Sequence, residues 1–322
     1  MTPTKREGDG AAGSAEAMTG TAAIQGFEQA VTDEEAAKNW RSVSDRKIRV
    51  GIAGYGVCGF GAAFHFQDHP NVTVAAVADL DPDKCAELAK RCRCETMYPS
   101  CEELIGDDSL EAIFVATDAP SHARLAIASL NAGKHVASAV PAVFGSLEDA
   151  DLLFDAVKAS DRKYMMFETS YFHNDLYCMR EMYRAGDLGK VIYSEGEYWH
   201  YFGTPLDGHE GWRTGLPPQW YPTHSNAYYV GVTGGSFTEV SCMGMRSTVE
   251  HLQPENNQFG NPFGTEIALF RTSECVQDIG RSIRLSVGQY PYDLSRQRQS
   301  HRPARAAGRS EIRLQPKPLH KS

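Results

Sequence analysis

Three glycines in the order Gly54-Tyr55-Gly56-Val57-Cys58-Gly59 are followed, twenty positions after the last of them, by Asp79. Residues of these types at this spacing suit a dinucleotide. Gly54 permits a tight turn, Gly56 lets the backbone approach a pyrophosphate, and Gly59 lets a helix pack closely on the strand before it. With a helix starting there, the amides from Gly56 through Val57 and Cys58 to Gly59 become donors to the phosphates. A carboxylate at Asp79 accepts both ribose hydroxyls of NAD and repels the 2′-phosphate of NADP. NAD is therefore the expected cofactor, with NADP less favoured.

That chemistry needs a strand, a turn, a helix and a second strand ending at the acid. Lys47 to Ala53 reads as a buried strand, Phe60 to Asp68 as the helix, and Val72 to Ala78 as the second strand. Helices are expected over Pro82 to Arg93, capped by Asp81, and over Ser121 to Ala132 and Leu147 to Ala159. Strands are expected over Ala112 to Ala116 and His135 to Ser138, with an apolar strand-like run from Tyr164 to Phe167. Strands alternating with helices at this spacing predict a parallel, doubly wound Rossmann domain, of α/β class, over 47–165. A helix over Asn174 to Arg184 then leads into strand-like runs at Val191 to Trp199, Ser236 to Met243 and Glu266 to Phe270. These predict an α+β domain over 166–287 with an open, mostly antiparallel sheet.

The flanks differ in character. Residues 1–46 read as a flexible leader, with a short helix expected from Thr32 to Trp40. From Val276 to Ser322 there are ten Lys or Arg against three Asp or Glu, and 288–322 reads as a basic, disordered tail. The whole chain of 322 residues nevertheless carries a formal charge of −9, which argues against nucleic acid as a partner. No run is long and apolar enough for a membrane span, and the first 46 residues lack the apolar core of a secretory signal, so a cytoplasmic protein is expected. Cys85, Cys92, Cys94 and Cys101 invite a zinc reading, but C-x-C without a histidine pair favours free thiols and no metal.

Ile48 to Gly56, Ala78-Asp79-Leu80-Asp81-Pro82, Val115-Ala116-Thr117 with Ser121-His122, Ala132 to Val136, and Ala185-Gly186-Asp187-Leu188-Gly189 together resemble the glucose–fructose oxidoreductase/inositol dehydrogenase (Gfo/Idh/MocA) family. The resemblance implies reversible hydride transfer between a secondary alcohol of a sugar or cyclitol and NAD(P), in a cleft between the two domains. It also implies a sheet that offers a homo-oligomer contact, and it brings Thr117, His122 and Pro141 to the cofactor loops.

The family pattern is broken where its lysine should stand. Instead of Glu-Lys-Pro the chain reads Ala139-Val140-Pro141-Ala142, and valine neither gives nor takes a proton. The family's substrate-domain histidine corresponds to His224, in Tyr221-Pro222-Thr223-His224, with Trp220 in place of the usual aspartate. His224 is thus the first acid–base candidate, since imidazole alone has an unperturbed pKa between pH 5 and 8. Ala-Val-Pro-Ala, Tyr-Pro-Thr-His and Met165-Met166-Phe167-Glu168 also resemble a branch of NAD-dependent glycosidases that work by oxidation and elimination. The tyrosine base of that branch falls on Phe172, one place from Tyr171, which is the candidate to aid His224 in catalysis. Glu168 either hydrogen-bonds a sugar or caps the following turn. The aromatic stretch Tyr198 to Phe202, above all Trp199, and also Tyr221 suit a sugar face, and Arg213 suits hydroxyl or carboxylate groups. Three functions follow: a sugar or cyclitol oxidoreductase, a redox-assisted glycosidase, and a nucleotide-binding relative without catalysis.

Overall fold

The computed structural model describes residues 40–56, 59–200 and 211–272, together with the backbone of two further strands, 282–289 and 309–314. Six parallel strands form the first sheet: β1 (Ile48–Ala53), β2 (Val72–Ala78), β3 (Met97–Tyr98), β4 (Ala112–Val115), β5 (His135–Ser138) and β6 (Tyr164–Met166). Their order is β3-β2-β1-β4-β5-β6, the doubly wound Rossmann arrangement, with the switch point between β1 and β4. Strand alternation sends successive residues to opposite faces. Ile113 and Val115 enter a core with Leu104, Leu125 and Val136, whereas Phe114 and Ala116 enter one with Ile52, Val77 and Leu88.

The crossover helices are α1 (Pro82–Cys92), α2 (Cys101–Ile105), α3 (His122–Asn131) and α4 (Leu147–Ala159). Asp81 caps α1 as expected, accepting from the amides of Asp83 and Lys84, with Pro82 in the first turn. Ser146 caps α4 by accepting from the Asp149 amide at 3.0 Å. Ser146→Ala is expected to lower unfolding free energy by about 1 kcal/mol, as read from a denaturant titration.

The helix expected over Phe60 to Asp68 is not there. Two short 3₁₀ turns, Phe60–Ala62 and Phe66–Asp68, replace it, and His65 between them adopts φ 52°. Phe64 and Phe66 explain the break. Both pack on Phe114 and on Phe167, with ring centroids 5.1–5.7 Å apart, and residues two apart cannot share one helical face. Gly61 is also required, because a Cβ there would collide with the Gly54 carbonyl.

The second domain carries α5 (Asn174–Arg184), α6 (Thr223–Thr233) and a five-stranded sheet. Its strands are β7 (Val191–His200), β8 (Phe237–Arg246), β9 (Phe263–Thr272), β10 (Ser282–Gln289) and β11 (Arg309–Leu314), in the order β11-β7-β10-β9-β8. Only the β7–β10 pair is parallel. The helix α6 escapes sequence reading because it is buried nearly all round (His224, Ser225, Ala227, Tyr228, Tyr229, Gly231, Val232), which erases the amphipathic period.

Both flanks hold more structure than expected. Within the stretch read as leader, Val43 N–H donates to Asn71 Oδ1 at 2.9 Å, while Asn71 Nδ2 donates to the carbonyls of Ser44 and Arg46. The proposed helix from Thr32 to Trp40 lies almost wholly outside the described residues. Within the stretch read as a disordered tail, β11 pairs with β7; its apolar alternation, Ile312 and Leu314, is too short to register as a period. Cys85, Cys92 and Cys101 are buried free thiols, and burial pushes Cys92 and Cys101 up to about 12. Among the described residues no group of His, Cys, Asp and Glu is placed to hold a metal, and no helix is long and apolar enough to cross a membrane.

Candidate active site

The glycine turn leaves β1 at the switch point. Gly54 has φ 97°, and a Cβ there would meet the Ala116 carbonyl and crowd the Thr117 amide, so the turn packs directly on the exit of β4. Asp79 ends β2 and reaches back: its Oδ2 accepts from the Tyr55 amide at 2.7 Å and its Oδ1 from the Asp81 amide at 2.9 Å. A carboxylate has about four acceptor sites, so Asp79 can hold the turn and still accept ribose hydroxyls. Val57 and Cys58 lie outside the described residues. The residues after Gly59 form a 3₁₀ turn, so a helix dipole does not add to the amides of the turn as expected.

The loops beside the turn are tied together by His122, which is 1% exposed. Its Nδ1 faces the Pro141 carbonyl at 2.8 Å and its Nε2 the Thr117 carbonyl at 3.0 Å. Burial pushes its pKa down, against the pull of those two carbonyls. His122 thus positions the cofactor loops from behind. The Thr117 hydroxyl is 2.8 Å from that of Ser121. The Val140–Pro141 peptide is cis.

The central finding concerns Glu168 and His224. Register pairs Ser138 of β5 with Met166 of β6, so Val140 and Glu168 each follow two residues beyond the end of adjacent strands. Glu168 Oε1 accepts from the Ser170 amide at 2.9 Å, capping the next turn, and also contacts His224 Nδ1 at 2.6 Å. A buried carboxylate on Nδ1 assigns the proton to that nitrogen and leaves Nε2 as the basic lone pair. Glu168 is therefore half of a carboxylate–imidazole pair.

Burial pushes the Glu168 carboxyl up, but the His224 ring, helped by Thr223 and the Ser170 amide, more than reverses this. Its pKa in the folded chain lies below the ordinary 4.5. A lowered folded pKa contributes stability that is complete above the ordinary value and is lost as pH falls through the lower one. The stability advantage of the wild type over Glu168→Gln is thus expected to shrink as pH falls through the ordinary 4.5 and below it, as read by denaturant titration at each pH. An advantage that grows on acidification would reverse the assigned direction.

Around His224 stand three more side chains. The Tyr198 ring lies 4.4 Å from the imidazole and the Tyr221 ring 5.5 Å, with Arg213 Cζ 5.3 Å over Tyr221 and hydrogen-bonded to the Tyr198 hydroxyl. Burial raises both phenols, which keeps them protonated as donors. Of the expected substrate residues, Arg213 and Tyr221 are therefore gathered at the pair. Trp199 is not: it follows Tyr198 on β7 and takes the opposite face, donating to Glu197 at 3.3 Å. Tyr198 is the residue that alternation should have selected. Tyr171 lines one pocket together with Glu168, lying under Arg180 at 5.0 Å and beside Phe172. A cluster of Phe144, Trp212, Trp220 and Phe259 clasps the loop after Pro141 against the second domain.

A glycine turn at the switch point of a 3-2-1-4-5-6 sheet, with an acid closing β2, defines an NAD-binding Rossmann protein with an appended α+β domain. Residues 48–168 match the family described as "Oxidoreductase family, NAD-binding Rossmann fold", Gfo/Idh/MocA. Residues 48–168 thus form an NAD-binding Rossmann domain similar to that of this family, and the cofactor it takes is NAD. A glycosyl hydrolase family 109 protein of Shewanella amazonensis is 29% identical over 230 residues, covering 65% of this chain and 50% of that protein. A glycosyl hydrolase family 109 protein of Bacteroides fragilis is 27% identical over 163 residues, covering 48% of this chain and 35% of that protein. The chain thus spans half or less of the length of these two relatives. In fold it resembles scyllo-inositol dehydrogenase from Lactobacillus casei, solved with NAD(H) and scyllo-inositol (TM-score 0.63, 16% identity, 83% of this chain and 74% of that one). A probable dehydrogenase from Thermotoga maritima is similar (TM-score 0.64, 21% identity, 76% and 70%).

Proposed function

We propose that this chain oxidises a secondary alcohol of a sugar or cyclitol with NAD, and that the Glu168–His224 pair handles the hydroxyl proton. The observation that carries the proposal is the buried 2.6 Å contact between Glu168 and His224. NAD bound along the glycine turn supplies the hydride acceptor. His224 Nε2 takes the hydroxyl proton as the carbonyl forms, and Glu168 stabilises the resulting imidazolium through Nδ1. In the reverse direction the same imidazolium returns the proton. Arg213 and the Tyr198 and Tyr221 phenols orient the other hydroxyls as donors.

The test is a panel of polyols and sugars with NAD, followed at the reduced-nicotinamide absorbance band. Turnover with at least one of them is expected. Tight NAD binding with no absorbance change on any substrate would overturn the proposal in favour of a non-catalytic relative.

A second reading has its own support in the glycosyl hydrolase names of the sequence relatives. A redox-assisted glycosidase would release a chromophoric aglycone with no net absorbance change in the nicotinamide, and would stop when NAD is stripped. The exposed apolar side chains Met243, Met245 and Leu269 on the second sheet suit a contact between copies of the chain, which sedimentation would detect.

A further inference from the structure

Beside the carboxylate–imidazole pair lies a cavity of about 470 Å³, lined by Glu168 and Tyr171 but not by His224. Its wall is largely apolar: Met165 and Met166 of β6, Phe172, Val230 of α6, and Phe237 at the start of β8. Two buried acceptor atoms on residues lining the same space have no hydrogen-bond partner, Glu168 Oε2 and Asn226 Oδ1. Glu168 as a whole is only 6% exposed. The Thr223 hydroxyl, also in this wall, lies close enough to help hold the Glu168 carboxylate, but in a contact too poorly formed to satisfy either group. Leaving a buried acceptor unpaired is unfavourable, the more so for a charged one, and so many on one cavity wall is unusual in a folded domain.

We propose that this cavity binds a small neutral molecule in which an aromatic group carries an alcohol. The flat apolar part fits between thioethers and phenyl rings, which make favourable contacts with aromatic faces. The hydroxyl donates to Glu168 Oε2 or Asn226 Oδ1 and accepts from Thr223, satisfying groups the protein leaves open. An anion would meet the Glu168 carboxylate; an ammonium could use the same acceptors, so tighter binding of 2-naphthylmethylamine than of the alcohol would overturn the neutral class. The volume falls within the range of sites for small organic ligands. This site does not depend on hydride transfer, and a chain that binds NAD yet turns over no polyol would still have it.

The probe is 2-naphthalenemethanol, titrated by calorimetry into the full chain, with its methyl ether as the control that cannot donate. Saturable binding of the alcohol is expected, with the ether weaker by about tenfold or more, the usual effect of a hydrogen bond to a charged acceptor. Val230→Trp, at a position 40% exposed, should fill the space and abolish binding while leaving NAD affinity unchanged. Asn226→Leu should narrow the preference for the alcohol over the ether. Absence of saturable binding would overturn the proposal. So would equal affinity for alcohol and ether, or undiminished binding by a Val230→Trp variant that still binds NAD.

Discussion

His224→Ala is expected to lower kcat for polyol oxidation by about 10²–10⁴-fold, the usual contribution of a positioned acid–base group, while NAD binding is retained. The size of the effect follows from what surrounds the ring. Val140 stands where the family pattern has lysine, so that position offers no second basic group. The phenols of Tyr198 and Tyr221 are pushed up by burial and held protonated, so they cannot take over as bases near neutral pH. Removing the imidazole also strips Glu168 of the contact that offsets its burial, which lets its pKa rise. Glu168→Gln should fall between wild type and His224→Ala, since Nε2 keeps its place but the imidazolium loses its counter-charge. The checks are kcat and KM on the best polyol, with NAD affinity measured separately. A wild-type kcat in His224→Ala would remove the pair from the mechanism.

Gly54→Ala is expected to lose NAD binding and to destabilise the Rossmann domain. At φ 97° an alanine is strained by about 1–3 kcal/mol. The new methyl also has no space, because the Ala116 carbonyl and the Thr117 amide already fill it. Relief requires the turn to move away from β4, which breaks the contact between the Tyr55 amide and Asp79. Calorimetric titration with NAD and thermal denaturation of the same sample test both halves. An alanine variant that binds NAD as the wild type does would show that the turn has another way to fit.

Much of the Rossmann domain was legible because its signals are local. Gly54, Gly56, Gly59 and Asp79 announce themselves by spacing, and Asp81 with Pro82 marks a helix start within a few residues. The helix after the turn misled for a physical reason: Phe64 and Phe66 look like part of an apolar period, yet both are claimed by Phe114 and Phe167 across the sheet. At the site, Glu168 and His224 were each visible, but 56 positions separate them and no spacing rule joins such a pair. The sequence reading left Glu168 as a sugar ligand or a cap; it is a cap that also holds the histidine. Trp199 drew notice by size, while the strand period gives the inward place to Tyr198. The helix carrying His224 was hidden by its own burial.

The placement of β7 sets an order of events during synthesis. In its sheet β7 pairs with β10 and β11 alone, both encoded more than eighty residues later. When β7 leaves the ribosome it therefore has no strand to join, although all six strands of the first sheet have already been made. Long-range pairing of this kind is slow, because the loop must close before any contact rewards it. The half of the cleft formed by the glycine turn can thus assemble well before the half that brings Tyr198 to His224. In that interval an unpaired ten-residue strand, rich in aromatic side chains, is the segment most exposed to misassociation.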